Sequence, residues 1–179
     1  MRIISGNHRG KKIVAPPNLP VRPTTDFAKE SLFNILDNYF YFDTVKVLDL
    51  FAGTGNISYE FAARGAVEVV AVDNNEACAD FIEKTAKSLH FEQLQVVRND
   101  ALEYISHCKQ PFNVIFADPP YDWDKYSAIP QLVFENGLLS PNGFLVIEHA
   151  VAVDFQQHPK FFQQRHYGKV NFSFFAENL

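Results

Sequence analysis

Short apolar runs recur along this chain with helix-length segments between them, and that alternation leaves few folds open. The runs fall at about 46–50, 69–73, 94–98, 112–117 and 143–148. The segments between them, at about 56–63, 75–89, 101–107 and 125–136, read as helices. Strands that alternate with helices build a mostly parallel sheet covered on both faces, so the expected class is α/β. A further helix is expected to start at Thr25 or Asp26, either of which can cap it. Its apolar positions Ala28, Leu32, Ile35, Leu36 and Tyr39 follow helical spacing. Ahead of it, Arg2–Ile4 and Lys12–Val14 read as paired strands around a Gly6–Gly10 turn. Pro16, Pro17, Pro20 and Pro23 then mark an extended connector. At the other end, Phe161–Tyr167 and Asn171–Ala176 around Gly168 read as a closing antiparallel hairpin.

Two motifs lie where such a sheet binds ligands, at the carboxyl ends of its strands. Asp118-Pro119-Pro120-Tyr121 follows the run Val114-Ile115-Phe116-Ala117. The prolines fix φ and lack an N–H, so they end the strand in a rigid corner. That corner displays a carboxylate, carbonyls and a ring, a set that can grip a planar base bearing an amino group. Its bland counterpart is a Pro-Pro turn with a solvated acid. The second motif is Val47-Leu48-Asp49-Leu50-Phe51-Ala52-Gly53-Thr54-Gly55, a strand followed by a glycine turn and a helix from about Asn56. Ser58 stands where a dinucleotide fingerprint has its third glycine. Asp73 ends the next apolar run about 20 residues beyond the turn, where an acid accepts from ribose hydroxyls.

The chain resembles the class I S-adenosylmethionine-dependent methyltransferases, and within them the RsmD-like 16S ribosomal RNA guanine-N2 methyltransferases. The resemblance runs through Arg2-Ile3-Ile4-Ser5-Gly6, Arg9-Gly10-Lys11-Lys12, Arg22-Pro23-Thr24-Thr25-Asp26 and Phe33-Asn34-Ile35-Leu36. It continues through Asp49–Gly55 and Arg64-Gly65-Ala66 to Asp118–Tyr121. It implies a Rossmann-like, mostly parallel seven-stranded sheet with one reversed strand, helices on both faces and a small amino-terminal β-hairpin. Residues 1–24 would form an RNA-contacting extension and 25–179 the methyltransferase domain. The departures are mild. Thr54 replaces a serine, Asn56-Ile57-Ser58-Tyr59 a small glycine-containing stretch, Asp73 a glutamate and Thr85 an asparagine.

Site roles follow from the resemblance. Asp118, Pro119 and Tyr121 would be catalytic, with the acid and the Pro119 carbonyl holding the amine and the ring stacking on the base. S-Adenosylmethionine would lie against Asp49, Phe51, Ala52, Gly53, Thr54, Gly55, Asp73 and Asn99-Asp100-Ala101. Asn99-Asp100 could equally cap the helix that follows. Arg9, Lys11, Lys12, Arg22 and Thr24 are expected at the RNA. Asp26 is a weaker candidate there. Asn34 could instead be a buried polar residue, and Trp123 a loop anchor or a second stacking surface.

Charge supports an RNA-facing amino terminus. Residues 1–30 carry six basic and two acidic side chains, net +4, whereas the whole chain is −5. Cys78 and Cys108 are too few for a disulfide scaffold, the six histidines show no ligand spacing, and no metal is expected. No apolar run approaches the roughly 18 residues of a membrane span. A cytoplasmic, monomeric enzyme acting on ribosomal RNA or an assembling subunit is the expectation. Two other readings remain: an adenine-N6 DNA methyltransferase, for whose usual target-recognition domain 179 residues leave no room, and a non-catalytic RNA-binding factor on the same fold.

Overall fold

The computed structural model describes residues 1–21 and 24–177. Arg22, expected at the RNA, lies outside the described residues. Helices α1 (Asp26–Leu36), α2 (Asn56–Ala63), α3 (Glu76–Ser88), α4 (Ala101–His107) and α5 (Ala128–Glu135) accompany seven strands. The strands are β1 (Lys46–Leu50), β2 (Glu68–Asp73), β3 (Leu94–Arg98), β4 (Phe112–Ala117), β5 (Leu139–Ala150), β6 (Phe161–Tyr167) and β7 (Val170–Ala176). They form one sheet in the order β3-β2-β1-β4-β5-β7-β6. The β1–β5 pairings are parallel, and only β7 runs against its neighbours. Alternate residues feed two cores. Val47, Val114, Phe116 and Val146 pack under α1, α2 and α3. Leu48, Leu50, Ile115 and Ile147 pack under α4 and α5.

Several details differ from the sequence expectations, each for a physical reason. Helix α1 ends at Leu36 because the Asn38 side chain donates to the Asn34 and Ile35 carbonyls and closes its last turn. Tyr39 therefore falls outside the buried stripe, and Asn34 is exposed rather than a buried polar residue. Helix α5 starts at Ala128, not near 125, which leaves Pro130 in the first turn, where its missing N–H costs nothing. Strand β5 starts at Leu139, earlier than the expected 143, and a register shift opposite Phe112 and Val114 absorbs the irregularity.

The amino-terminal segment is a short hairpin, with an antiparallel bridge between Arg2 and Lys12 flanked by backbone hydrogen bonds from Ile3 to Lys11 and from Ile13 to Met1. The Ile4 and Ser5 amides, which a partner strand would otherwise take, donate instead to the Glu60 carboxylate at 2.8 and 3.0 Å. Glu60 is fully buried on α2 and also meets Lys29 at 3.3 Å and Arg64 at 2.9 Å. The Lys29 ammonium donates to the Arg2 carbonyl and to Asn56 Oδ1. Burial lowers the Lys29 pKa, against the opposing charge of Glu60. Gly6 lets the segment close on α2, since a Cβ there would lie 1.8 Å from the Ala63 carbonyl oxygen.

Removing one member of a buried ion pair leaves the other charge uncompensated, which costs about 3–5 kcal/mol. Glu60→Ala is expected to lower the urea unfolding free energy by that amount and to open the Arg9–Lys12 segment of the native protein to trypsin. Parent-like stability and protection would contradict the assignment.

Candidate active site

Four carboxyl side chains stand at adjacent strand ends on one face of the sheet. Strand residues alternate between faces, so Asp49, Asp73, Asp118 and Glu148 share the face of Val47, Ala71, Phe116 and Val146. Leu50 lies opposite both Val72 and Ala117, so Asp73 and Asp118 flank the start of the glycine turn. Ala117 lies opposite Ile147, which brings Glu148 alongside Asp118. The order β2-β1-β4 makes the β1/β4 boundary the place where successive connections leave in opposite directions, the crevice where open α/β sheets take ligands.

The glycine turn is not built for a phosphate. A pyrophosphate site needs outward-facing backbone N–H groups. Here the Ala52 amide donates to the Val72 carbonyl, the Gly55 amide to the Ala52 carbonyl, and the Gly53 amide to Asp73 Oδ2 at 2.7 Å. Asp73 Oδ1 accepts from the Asn75 amide. Ser58, in the place of the third glycine, donates to buried Asp49. Gly55 has φ +79°, and a Cβ there would come within 2.7 Å of the Tyr59 ring. The crevice wall is thus acidic, with the Ala52, Gly53 and Gly55 amides already engaged, a surface for a cation, for hydroxyls and for amino groups.

Burial dominates the electrostatics of this row. It raises the Asp49 pKa to about 7, against hydrogen bonds from Ser58 and helped by the charge of Asp73. It raises Glu148 to about 7, against the Thr24 hydroxyl. Asp118 is pushed well above the usual carboxylate range by burial, then by the charges of Glu148 and Asp49.

The Asp118–Tyr121 corner is braced from beneath. Tyr126 donates its hydroxyl to the Pro120 carbonyl at 3.1 Å, and the Trp123 amide donates to the same oxygen at 2.9 Å. Burial and the neighbouring Asp118 charge push the Tyr126 hydroxyl up to about 12, so it stays a neutral donor. Trp123 meets Phe51 edge-on at 5.1 Å and Tyr126 at 5.8 Å. It is therefore a loop anchor that ties the corner to the glycine turn. Pro119 is buried, and Tyr121 is 60% exposed at the rim.

The remaining candidates are placed as follows. Asp100 caps α4, accepting from the Glu103 amide, and Asn99 accepts from the Asp100 amide; both precede buried Ala101 at the end of β3. Thr54 is buried in the glycine turn. Arg9, Lys11 and Lys12 are exposed. The segment's tip, however, lies against Ala63 and Phe91, at the end of the sheet opposite the acids. Thr24 departs from the expected RNA contact: it is buried, with its hydroxyl donating to Glu148 Oε2 at 2.9 Å and its carbonyl accepting from Asn56. Asp26 pairs with Arg2 at 3.6 Å. Sequence reasoning missed Glu148 and Tyr126. The signal for Glu148 was present, since Leu145-Val146-Ile147-Glu148 is an acid-tipped apolar run like the one ending at Asp73. Among the described residues no group of side chains could hold a metal ion, and no helix is long and apolar enough to cross a membrane.

A family model described as Conserved hypothetical protein 95 matches residues 1–176. The chain belongs to that family. YlbH of Bacillus subtilis is 38% identical over 153 residues, covering 83% of this chain and 82% of the relative. "Ribosomal RNA small subunit methyltransferase D" of Haemophilus influenzae is 33% identical over 155 residues, covering 83% and 78%. A solved structure of yhhF from Escherichia coli superposes with a TM-score of 0.85 at 27% identity, over 98% of this chain and 96% of that one. The RsmD-like resemblance read from the residues holds at the level of the family.

Stability should carry the signature of the acid row. A carboxyl whose pKa is higher in the folded than in the unfolded state binds more protons when folded, so stability falls as pH rises between the two values. For Glu148 that window runs from 4.5 to about 7. Urea midpoints are expected to fall as pH rises from 4.5 to about 7, and Glu148→Gln is expected to flatten the decline. An unchanged slope in the variant would show that Glu148 titrates normally.

Proposed function

We propose that this protein transfers a methyl group from S-adenosylmethionine to the exocyclic N2 amine of a guanine in small-subunit ribosomal RNA. The observation that carries the reading is the pairing of the Asp118-Pro119-Pro120 corner with an acidic, phosphate-averse glycine turn at one switch point. The relatives' names support ribosomal RNA as the acceptor.

S-Adenosylmethionine supplies a methyl already activated on a cationic sulfur. Asp49 and the Phe51–Gly55 backbone face its methionine end, and the acid row favours its positive charge. Asp73 accepts from the ribose hydroxyls while holding Gly53 in place. Asn99, Asp100 and Ala101 read the adenine from the end of β3. Together these fit a cationic nucleoside better than a dinucleotide.

The acceptor amine is a poor nucleophile because its lone pair is shared with the base. The Asp118 carboxylate and the Pro119 carbonyl accept its two N–H groups, which aims the lone pair and stabilises the charge that develops on nitrogen. Tyr126, by holding the Pro120 carbonyl, keeps the corner from relaxing. Alignment supplies the rest of the rate. Tyr121 stacks on a base drawn out of its helix or already unpaired. Asp118, hydrogen-bonded to the amine, takes the proton it sheds. Residues 1–24 serve as an extension whose exposed Arg9, Lys11 and Lys12 meet RNA away from the pocket, and 25–179 as the catalytic domain.

Asp118→Ala is expected to reduce methyl transfer to small subunits by about 100-fold or more, with calorimetric cofactor affinity near that of the parent. Asp73→Ala should weaken cofactor binding instead. Since Asp118 must be ionised to accept, single-turnover rate should rise with pH through its raised pKa. Loss of cofactor binding in Asp118→Ala would move that residue to the cofactor site.

A further inference from the structure

The row that carries the acceptor acid continues past Glu148. Phe172 of β7 lies opposite Glu148, and Arg165 of β6 lies opposite Phe172. Directly opposed residues share a face. Arg165 therefore stands on the face of Asp118 and Glu148, two strand spacings or about 10 Å from Glu148. The β6–β7 turn pairs Val170 with Ala150, so Tyr167, Gly168 and Lys169 rise at the same carboxyl edge. Tyr167 rests on Phe172 at 5.9 Å and meets Phe27 edge-on at 6.1 Å. Phe27, in the first turn of α1, is 67% exposed.

Phe27 is exposed and Tyr167 half-buried, and the charge beside them is unusual. Residues 155–176 hold three basic side chains and no acid, in a chain whose net charge is −5. Arg165 and Lys169 are exposed and, among the described residues, enter no ion pair. On the adjoining first turn of α1, Asp26 is already offset by Arg2. The tip of the amino-terminal segment, with Arg9, lies at the far end of the sheet and cannot serve this edge.

We propose that Phe27, Tyr167, Arg165 and Lys169 form a binding surface for the unpaired RNA strand that flanks the acceptor base. The proposal rests on RNA being the acceptor. Unpaired bases stack on aromatic rings without regard to sequence, and cations beside the rings track the phosphates. The surface lies along the same carboxyl edge, three strands from the Asp118 corner, so a strand held on it leads toward the pocket.

The test is fluorescence anisotropy of a labelled single-stranded RNA across a salt series, beside calorimetric cofactor affinity and methyl transfer to small subunits. Arg165→Glu with Lys169→Glu should weaken binding about 10-fold near 0.1 M salt and lower the log–log salt slope by about 1.4, the value for two lost phosphate contacts. Phe27→Ala should weaken binding on the order of 10-fold with an unchanged slope. Cofactor affinity and melting temperature should match the parent in both, and Arg165→Lys should retain binding. If the parent methylates RNA but both variants bind RNA as it does, the surface is wrong and the functional reading stands. A defect seen only with protein-bearing subunits, and not with RNA, would overturn the surface in favour of a protein contact. A parent that neither binds nor methylates RNA overturns both.

Discussion

Parallel pairing of β1 with β4 is the constraint on which the rest of this site depends. Parallel strands cannot return through a tight turn, so each leaves the sheet at the same edge and must cross a face to re-enter. At β1 and β4 the crossings diverge, β1 toward β2 and β4 toward β5. The Phe51–Gly55 turn and the Asp118–Tyr121 corner are thereby set side by side, and Phe51 against Trp123 locks their spacing. The chemistry then needs only the right residues at those strand ends, and the chain places acids there on four adjacent strands.

A second dependency runs through Glu60. Its carboxylate gathers the Ile4 and Ser5 amides, Lys29 and Arg64, so one buried group joins the amino-terminal segment, α1 and α2. Asn56 extends the same network, accepting from Lys29 and donating to the Thr24 carbonyl, while Thr24 reaches Glu148. The basic segment, the start of α2 and Glu148 are thus mechanically continuous. Asn56 is a structural member of that network.

Much of this was legible in the sequence because it rests on local signals. Helix α1 begins where Thr25 can cap it, and Thr25 accepts from the Ala28 amide. Strands β1, β3 and β4 are short apolar runs bounded by turn residues, and they begin and end where those runs do. The reversed strand was foreshadowed by the turn at Gly168. What escaped was non-local. No pattern in the sequence marks Lys29 as buried, because its position on α1 reads as solvated until Glu60 and Asn56 arrive from α2. Tyr126 looks like one more loop aromatic until its hydroxyl meets Pro120. Thr24 carried a family signature but not its direction, and the fold turns it inward to Glu148. The basic, acid-free stretch around Arg165 was visible in composition, yet only the sheet register shows that it shares an edge with Asp118.

The most direct test of the account is nucleoside analysis of the product after transfer of labelled methyl from S-adenosylmethionine to small ribosomal subunits, free 16S RNA and duplex DNA. The account predicts label in N2-methylguanosine, from RNA or subunits, and none in DNA. Label in N6-methyladenine of DNA, or cofactor binding with no transfer to any of the three, would contradict it.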